Sequence, residues 1–438
     1  MTLLTKPPRA KPALLIAAVA LAALMTSSGR ADGLLAITGA RIETATDDGL
    51  IEDGVILIRD GKIEEVGADV DIPGSAAVIR ADGKTVMPGI IDPYYVVTVP
   101  SSSAGSTQRT IVFRGRTFVI GGSPAATDTS FVKVADAFQP ARWEWRPAVR
   151  SGITTAHLVT RGYGQSCLAS PRVDPASISL DSGEPRTFIA VSNEPKSLKV
   201  LRTGLKKKSS SSSGSSASKT SSGSSSSTAR SSSGAASSTS SSSSSSASTA
   251  ADVWEEVRSG KFPLVVNANN ASAVLYLVEE LKKEENKDVK VALVLSGSDA
   301  ILTLDQLPAE RVTLVLAPRL ETEPTTRRLI NVANEAVDRG MSVAFSLSTN
   351  QSNFRSSQDI PLFAVGQLTH LGLDRDTAIR SLTRTPAEVL GLEDEYGTIE
   401  KGRYADLLIF DSDPLSATGR IERVLSRGET VYQATLQP

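Results

Sequence analysis

Three apolar runs decide the fold, and they read VKVALVL at Val289–Leu295, VTLVL at Val312–Leu316 and SVAFSL at Ser342–Leu347. Each run has the length of a strand and is predominantly apolar, as expected of a strand that is buried on both faces. Helical segments separate the runs, and one of them, Arg327–Arg339, ends before Gly340, a residue suited to a left-handed helix cap. Strands that alternate with helices predict a parallel sheet covered by helices.

The same alternation extends toward the amino terminus. Four more predicted strands are Thr85–Ile91, Ile153–Val159, Thr187–Val191 and Leu264–Asn267. The total is then one fewer than the eight parallel strands of a closed barrel. Two alternatives stay open for the eighth strand: it lies near Thr110–Ile120, or it is missing.

Short strands are also predicted near both chain ends. Val55–Arg59 and Lys62–Val66 flank Asp60-Gly61, a dipeptide that readily adopts the positive φ of a tight hairpin turn. Strands return near the carboxyl terminus, at Ala405–Phe410 and Glu422–Val431. We therefore expect residues 32–86 and 396–438 to form one composite β domain, with the larger domain, residues 87–395, between its two halves.

Two segments differ in composition from a packed domain. Basic residues precede the apolar run Ala13–Met25 and small residues follow it, so residues 1–31 are predicted to be a signal peptide and the protein to be exported, periplasmic or extracellular. An uncleaved anchor is the alternative, although the run is shorter than the roughly 20 residues that span a bilayer. Residues 208–251 are nearly all Ser, Gly, Ala and Thr, which predicts a disordered insertion in the larger domain. The open alternative is a Ser-rich binding arm.

Composition excludes some classes of function. Lys and Arg total 47 against 48 Asp and Glu, so no overall positive charge favours nucleic acid as a partner. Cys167 is the single cysteine, so no intramolecular disulfide can form, and we expect its thiol to be buried rather than reactive. No glycine-rich phosphate loop and no Gly-x-Ser-x-Gly motif is present.

Two motifs resemble the amidohydrolase superfamily, and imidazolonepropionase-like members in particular. The first, PGIID at Pro88–Asp92, is similar to the junction where the family's β domain meets the first barrel strand. The second, YGTIEKGRYADL at Tyr396–Leu407, is similar to the return from the last barrel helix to that domain. Ser151–Thr155 looks like the family's second strand, and Ser381–Leu392 like its last helix. The resemblance implies an α/β fold, a (β/α) TIM-like barrel with a small composite β-sandwich domain built from both chain ends.

The resemblance also implies a chemistry. Active members hydrolyse carbon-nitrogen bonds of amides or cyclic amidines, with zinc or iron activating a water molecule. Imidazole and carboxylate side chains at the carboxyl ends of the barrel strands hold the metal in such enzymes. The corresponding positions in this chain are Tyr94, Val96, Asn267 or Asn269, Ser296, and a last-strand position at or near Thr349 and Asn350.

Only two histidines exist in the whole chain, so a shift of the alignment does not restore this ligand set. We therefore predict that the ligands are replaced and that no metal cofactor is bound. His157 lies in the second strand, where it can point into the barrel, and we expect a satisfied core or pocket histidine. His370 is expected to cap a helix at the surface. The carboxylates nearest the predicted strand ends are Asp92, Asp299 and Asp359.

Three hypotheses for function follow. The first is a catalytically degenerate protein that keeps the barrel pocket for binding or scaffolding, with an unknown small molecule or protein as its partner. The second is an active hydrolase of non-peptide carbon-nitrogen bonds that uses other ligands or no metal. The third is a structural envelope protein whose Ser-rich insertion contacts wall or matrix. None of the three requires a transmembrane segment after signal removal.

Overall fold

The computed structural model describes residues 33–97, 109–113, 116–120, 131–137, 145–160, 162–170, 179–180, 188–192, 195–206, 250–296, 298–348 and 362–434. The predicted signal peptide, nearly all of the Ser-rich insertion, Thr349, Asn350 and Asp359 lie outside these residues. No helix within the described ranges has the length and apolar character needed to cross a membrane.

Most of the described chain is arranged in strands joined by short helices. The strands are β1 (Leu34–Glu43), β2 (Leu50–Arg59), β3 (Lys62–Gly67), β4 (Ala77–Arg80), β5 (Thr85–Pro88), β6 (Ile90–Val96), β7 (Arg109–Phe113), β8 (Arg116–Ile120), β9 (Val132–Lys133), β10 (Ile153–Val159), β11 (Gly164–Ser170), β12 (Ser179–Leu180), β13 (Phe188–Ser192), β14 (Leu264–Ala268), β15 (Val291–Leu295), β16 (Val312–Leu316), β17 (Glu321–Thr322), β18 (Leu329–Ile330), β19 (Ser342–Phe345), β20 (Leu407–Phe410), β21 (Ile421–Ser426) and β22 (Glu429–Gln433). The α-helices are α1 (Val134–Ala137), α2 (Arg146–Arg150), α3 (Pro195–Leu205), α4 (Ala250–Arg258), α5 (Ala271–Leu281), α6 (Val332–Val337), α7 (Phe363–His370), α8 (Arg375–Arg380) and α9 (Arg384–Val389). Two 3-10 helices cover Glu284–Asn286 and Ser298–Gln306.

One sheet contains strands from both chain ends. Its order is β22-β21-β20-β5-β1-β2-β3, and β4 pairs with β1. The two chain ends meet where β20 pairs antiparallel with β5, with Leu407 opposite Pro88. The predicted hairpin between β2 and β3 is confirmed, because Asp60 and Gly61 have φ values of 51° and 81°. We call this sheet the composite sheet.

The second sheet is a nearly closed barrel. Eight strands follow the order β19-β16-β15-β14-β13-β11-β10-β6, and helices cover the outside. Seven of these strands are parallel, whereas β11 runs antiparallel to both β10 and β13. The predicted TIM-like barrel joined to a sheet domain is therefore confirmed.

The eighth barrel strand is β11, Gly164–Ser170, and both alternatives left open by the sequence are wrong. The predicted stretch Thr110–Ile120 instead contributes to β7 and β8, a hairpin separate from the barrel. The sequence of β11, GQSCLAS, contains few large apolar side chains, so its hydrophobic pattern does not mark a strand. Its pairing with two neighbouring strands stabilises it as a strand instead.

The predicted helix Arg327–Arg339 is shorter in the structure. Helix α6 begins only at Val332, because the Asn331 side chain caps it by accepting from the backbone N of Asn334 at 3.2 Å. Leu329 and Ile330 form β18 instead. Gly340 has a φ of 74°, as its predicted place after the helix requires.

The barrel interior is packed with side chains. The lumen cluster, as we call it, combines residues of the barrel strands with residues of and after α9: Ile91, Tyr94, Val159, Leu168, Ala190, Val265, Ala292, Val294, Val315, Ala344, Ala387, Leu390, Leu392 and Tyr396. Residues of α9 and of the segment that follows it, up to Tyr396, therefore pack inside the barrel. The Tyr396 hydroxyl accepts a hydrogen bond at 2.8 Å from Nη2 of Arg427, in the turn between β21 and β22, so this segment lies next to the composite sheet.

Candidate functional site at the carboxyl ends of the barrel strands

A buried carboxylate joins the two ends of the barrel path. Oδ1 of Asp92, on β6, accepts from the backbone N of Tyr94 at 3.0 Å and from the Ser346 hydroxyl at 2.7 Å. Oδ2 accepts from the backbone N of Ser348 at 3.0 Å. Both serines follow β19, so Asp92 connects the first and last barrel strands. Burial raises the pKa of Asp92 above its usual value, and these hydrogen bonds oppose the rise.

A bulge in β6 turns Tyr94 toward the lumen. Ala156 of β10 lies opposite Asp92, and Leu158 lies opposite Tyr95, so Pro93 and Tyr94 together oppose the single residue His157. Pro93 has no N–H for the ladder, which suits such an interruption. The Pro93 carbonyl hydrogen-bonds with the side chain of His157, on the neighbouring strand β10.

His157 is fully buried, and both of its ring nitrogens are hydrogen-bonded. Nδ1 lies 2.9 Å from the Pro93 carbonyl oxygen, and Nε2 lies 2.7 Å from the Ser166 hydroxyl of β11. A carbonyl can only accept, so Nδ1 carries the proton and donates. Burial lowers the pKa of His157 to about 4, so the ring is neutral at pH 7 and Nε2 accepts from Ser166.

Tyr94 and Val96 both contact the lumen cluster, the former as a member and the latter packed against it. Across the lumen, Nδ2 of Asn267 on β14 donates to the Tyr94 hydroxyl at 3.2 Å. Oδ1 of Asn267 is buried and has no hydrogen-bond partner among the described residues. The structure thus brings together three of the positions that the family resemblance marked.

The other marked positions lie apart from this group. Asn269 is exposed, and its Oδ1 accepts from Nδ2 of Asn270 at 2.9 Å, next to the cap of α5. Ser296 follows β15 and is half-buried, with its backbone N donating to the Ala268 carbonyl at 3.0 Å. Asn350 is outside the described residues.

Sequence reasoning placed the last-strand position at Thr349 or Asn350 and missed Ser346 and Ser348. The structure brings these two serines to Asp92 at the end of β19. Side chains of a strand alternate between its faces, so counting in twos from the inward Ala344 indicates both serines. Period-two counting from the strand, rather than the match to the motif, was the available signal.

The remaining titratable residues of interest are separate from this group. His370 is exposed and is the last residue of α7, the helix end at which a surface cap was predicted. Asp299 falls in the 3-10 helix Ser298–Gln306. Burial raises the pKa of the Cys167 thiol to about 12, with the nearby Asp136 charge adding to the rise. The thiol is therefore protonated at neutral pH, as expected for an unreactive cysteine.

These residues do not fit a zinc or iron site. The inward groups are a phenol, an amide, hydroxyls and one neutral histidine, and most of them hydrogen-bond with each other. The Asp92 oxygens accept from three donors, and His157 has no nitrogen lone pair left for a metal. Within the described ranges, no three His, Cys, Asp or Glu side chains are grouped so as to hold a metal ion. Such sites need several nitrogen, sulfur or carboxylate donors that point at one centre.

Comparison with known proteins agrees with the architecture. The amidohydrolase family model matches residues 367–432. The chain is 22% identical over 389 residues to an imidazolonepropionase from Geobacillus sp. (strain WCH70), covering 83% of this chain and 84% of that protein. It is 20% identical over 430 residues to an imidazolonepropionase from Shouchella clausii (strain KSM-K16), covering 89% of this chain and 88% of that protein.

A solved amidohydrolase structure from Thermotoga maritima MSB8 shares the fold. Its TM-score is 0.64 at 18% identity, with 91% of this chain and all of that chain covered. The matched motif region and the similarity along the chain support an amidohydrolase superfamily member, and the solved structure shares the barrel fold.

Proposed function

We propose that this chain is an exported member of the superfamily that does not use metal-dependent hydrolysis and acts through binding or scaffolding at the barrel mouth. The support for export is the predicted signal peptide at residues 1–31. The support for lost hydrolysis is the set of side chains at the ligand positions. The ligand or partner is a small molecule or a protein.

The observation that carries this proposal is the Tyr94–Asn267 contact. The two side chains stand where the resemblance places imidazole ligands, and they hydrogen-bond to each other at 3.2 Å. A phenol at neutral pH and a carboxamide are weak ligands for zinc or iron compared with imidazole, carboxylate or thiolate. The same side chains can recognise a polar, uncharged group, because they offer both donors and acceptors.

Metal content is the first measurement that tests the proposal. The mature protein, purified without chelator and without a His tag, is incubated with zinc and iron, desalted, and measured by inductively coupled plasma mass spectrometry. We expect far less than one metal ion per chain. Near-stoichiometric zinc, iron or manganese contradicts the proposal.

A matched variant provides the positive control. Tyr94→His, Val96→His and Asn267→His together place three imidazoles on lumen-facing positions of β6 and β14. If the backbone is that of an active member, this triple variant gains zinc while the original chain stays metal-free. Equal metal content in both proteins would mean that the side chains at positions 94, 96 and 267 do not determine metal binding. These positions would then no longer support the proposal.

A second candidate function is metal-independent hydrolysis of a carbon-nitrogen bond. The observation that favours it is the Ser166–His157 pair, because a hydroxyl that donates to a neutral imidazole is the arrangement that activates a serine nucleophile. Burial opposes this candidate, since Ser166 is only 2% exposed and His157 is a weak base at a pKa of about 4. Turnover of an amide or cyclic amidine that Ser166→Ala abolishes supports it, and equal turnover by the variant contradicts it.

A further inference from the structure

The backbone of Tyr94 is fixed at the point where its ring enters the barrel. Its backbone N donates to Oδ1 of Asp92 at 3.0 Å, and its carbonyl oxygen accepts from the Ser348 hydroxyl at 3.0 Å. Tyr94 is only 5% exposed and belongs to the lumen cluster. Side chains of β6 and of the segment after β19 therefore hold the ring inside the lumen.

The Tyr94 ring reaches the opposite wall of the barrel. Its hydroxyl accepts from Nδ2 of Asn267, on β14, at 3.2 Å. Strand β14 lies opposite β6, because β10, β11 and β13 separate the two strands on one side and β15, β16 and β19 on the other. One side chain thus spans the lumen and closes it at this level.

The ring fills space that other barrel strands leave. Strands β13, β15 and β19 contribute only the alanines Ala190, Ala292 and Ala344 to the lumen cluster, apart from Val294 of β15. Among the described residues, Tyr94 is the single aromatic side chain that a barrel strand adds to this cluster. Removal of the ring should leave a cavity, because the paired strands around it can relax only partly.

The Asn267 amide has hydrogen-bonding capacity that Tyr94 does not use. A carboxamide offers two N–H donors and an acceptor oxygen, and the contact with Tyr94 uses one donor. Oδ1 of Asn267 is buried without a hydrogen-bond partner among the described residues, which is costly. A solute that is not tethered to β6 can turn its hydroxyl toward either end of this amide. The lumen cluster is otherwise apolar, so such a solute has to be uncharged.

We propose that Tyr94 is an autoinhibitory side chain that occupies a latent binding site in the barrel lumen. The site takes an uncharged aromatic ring of the size of phenol that bears a hydroxyl group, and Tyr94 presents that same group from within the chain. The site is closed in the original chain, and a solute enters it only when the Tyr94 ring is absent or displaced. This inference rests on the proposed function, because it concerns binding inside the same barrel.

Titration with phenol and with toluene, followed by ligand-observed NMR, tests the proposal. We expect Tyr94→Ala to bind phenol with a Kd on the order of 1 mM. Phenol should bind about five-fold more tightly than toluene, because the Asn267 amide hydrogen-bonds with the hydroxyl. Tyr94→Phe is the matched control, since it keeps the ring and loses only the hydroxyl. This variant and the original chain should bind neither solute.

A second substitution separates the amide from the cavity. Asn267→Ala, added to Tyr94→Ala, removes the amide and leaves the space, so toluene should then bind more tightly than phenol. If Tyr94→Ala does not fold, Tyr94→Val replaces it, because valine is favoured in strands. Failure of the folded Ala or Val variant to bind phenol overturns the proposal. Equal phenol binding by Tyr94→Phe, or an unchanged preference for phenol without the amide, also overturns it.

The outcome is independent of the metal measurement. A metal-free original chain whose Tyr94→Ala variant does not bind phenol contradicts the autoinhibitory role of Tyr94 and leaves the proposed function standing. A chain that holds zinc while its Tyr94→Ala variant binds phenol contradicts the proposed function and supports the latent site.

Discussion

Acidification from pH 7 to pH 4.5 is expected to destabilise the protein through His157. The unfolded histidine takes up a proton near its usual pKa of 6.5, whereas the folded one does so only near 4. In this window the unfolded state binds more protons, so the free energy of unfolding falls as the pH falls. For these two pKa values the loss between pH 7 and pH 4.5 is about 2 kcal/mol.

Asp406 acts in the opposite direction over the same range. Its folded pKa of about 6 lies above the usual 3.8, so its contribution becomes more favourable by about 2 kcal/mol on acidification. The two effects nearly cancel in the original chain. The informative comparison is therefore between Asp406→Asn and the double variant that also carries His157→Gln.

Urea unfolding followed by circular dichroism at pH 4.5, 5.5, 6.5 and 7.5 measures this difference. The Asp406→Asn protein should lose about 2 kcal/mol more stability on acidification than the double variant, which has no histidine at 157. Parallel curves for the two proteins would refute a buried, neutral His157. A larger loss of stability on acidification in the double variant would mean that His157 stabilises the folded protein at low pH, which is the opposite of the prediction.

Three further predictions concern side chains with well-defined surroundings. Asp92→Asn should cost about 1–3 kcal/mol in urea unfolding, because an amide NH₂ in place of one oxygen cannot accept from the backbone N–H of Tyr94 or Ser348; an unchanged midpoint contradicts the role of Asp92 at the barrel seam. Trp145→Ala should cost about 3–5 kcal/mol, since Trp145 is 1% exposed and its ring centre lies 5.6 Å from that of a buried tyrosine; thermal unfolding checks this value, and a loss below 1 kcal/mol argues against it. The Cys167 thiol should react with a disulfide reagent at pH 8 far more slowly in the folded protein than in urea, because its pKa is raised to about 12; equal rates contradict the raised pKa.

The sequence predicts the barrel well where strands are apolar and repeated. The runs at Val291–Leu295 and Val312–Leu316 are buried, as their composition indicates. Strand β11 is missed because Gly, Ser and Gln dominate it and its neighbours stabilise it by pairing. Helix α6 starts late because Asn331 offers a better cap than the residues before it.

The candidate site is predicted only in part, because the sequence marks residues on recognisable strands but not the contacts between distant strands. Motif spacing marks Tyr94, Val96 and Asn267, and these residues lie in or contact the lumen, because the strands that carry them are easily recognised. The partners of Asp92 and His157 come from strands far away in sequence or from a strand that the sequence does not mark. Local patterns hold no information about such contacts, so only the folded chain shows that the histidine is neutral and the carboxylate is bonded across the barrel seam.

The reversed strand β11 has a consequence for the order in which the barrel forms. It follows β10 after only a few residues, so the pair is a local hairpin, and such hairpins close in microseconds. The seam contact between Asp92 and Ser346 spans 254 residues and requires the whole barrel to be in place. We expect pulse-labelling hydrogen exchange during refolding to protect amides of β11 before those of Ser346 and Ser348, so that the polar end of the barrel is completed last.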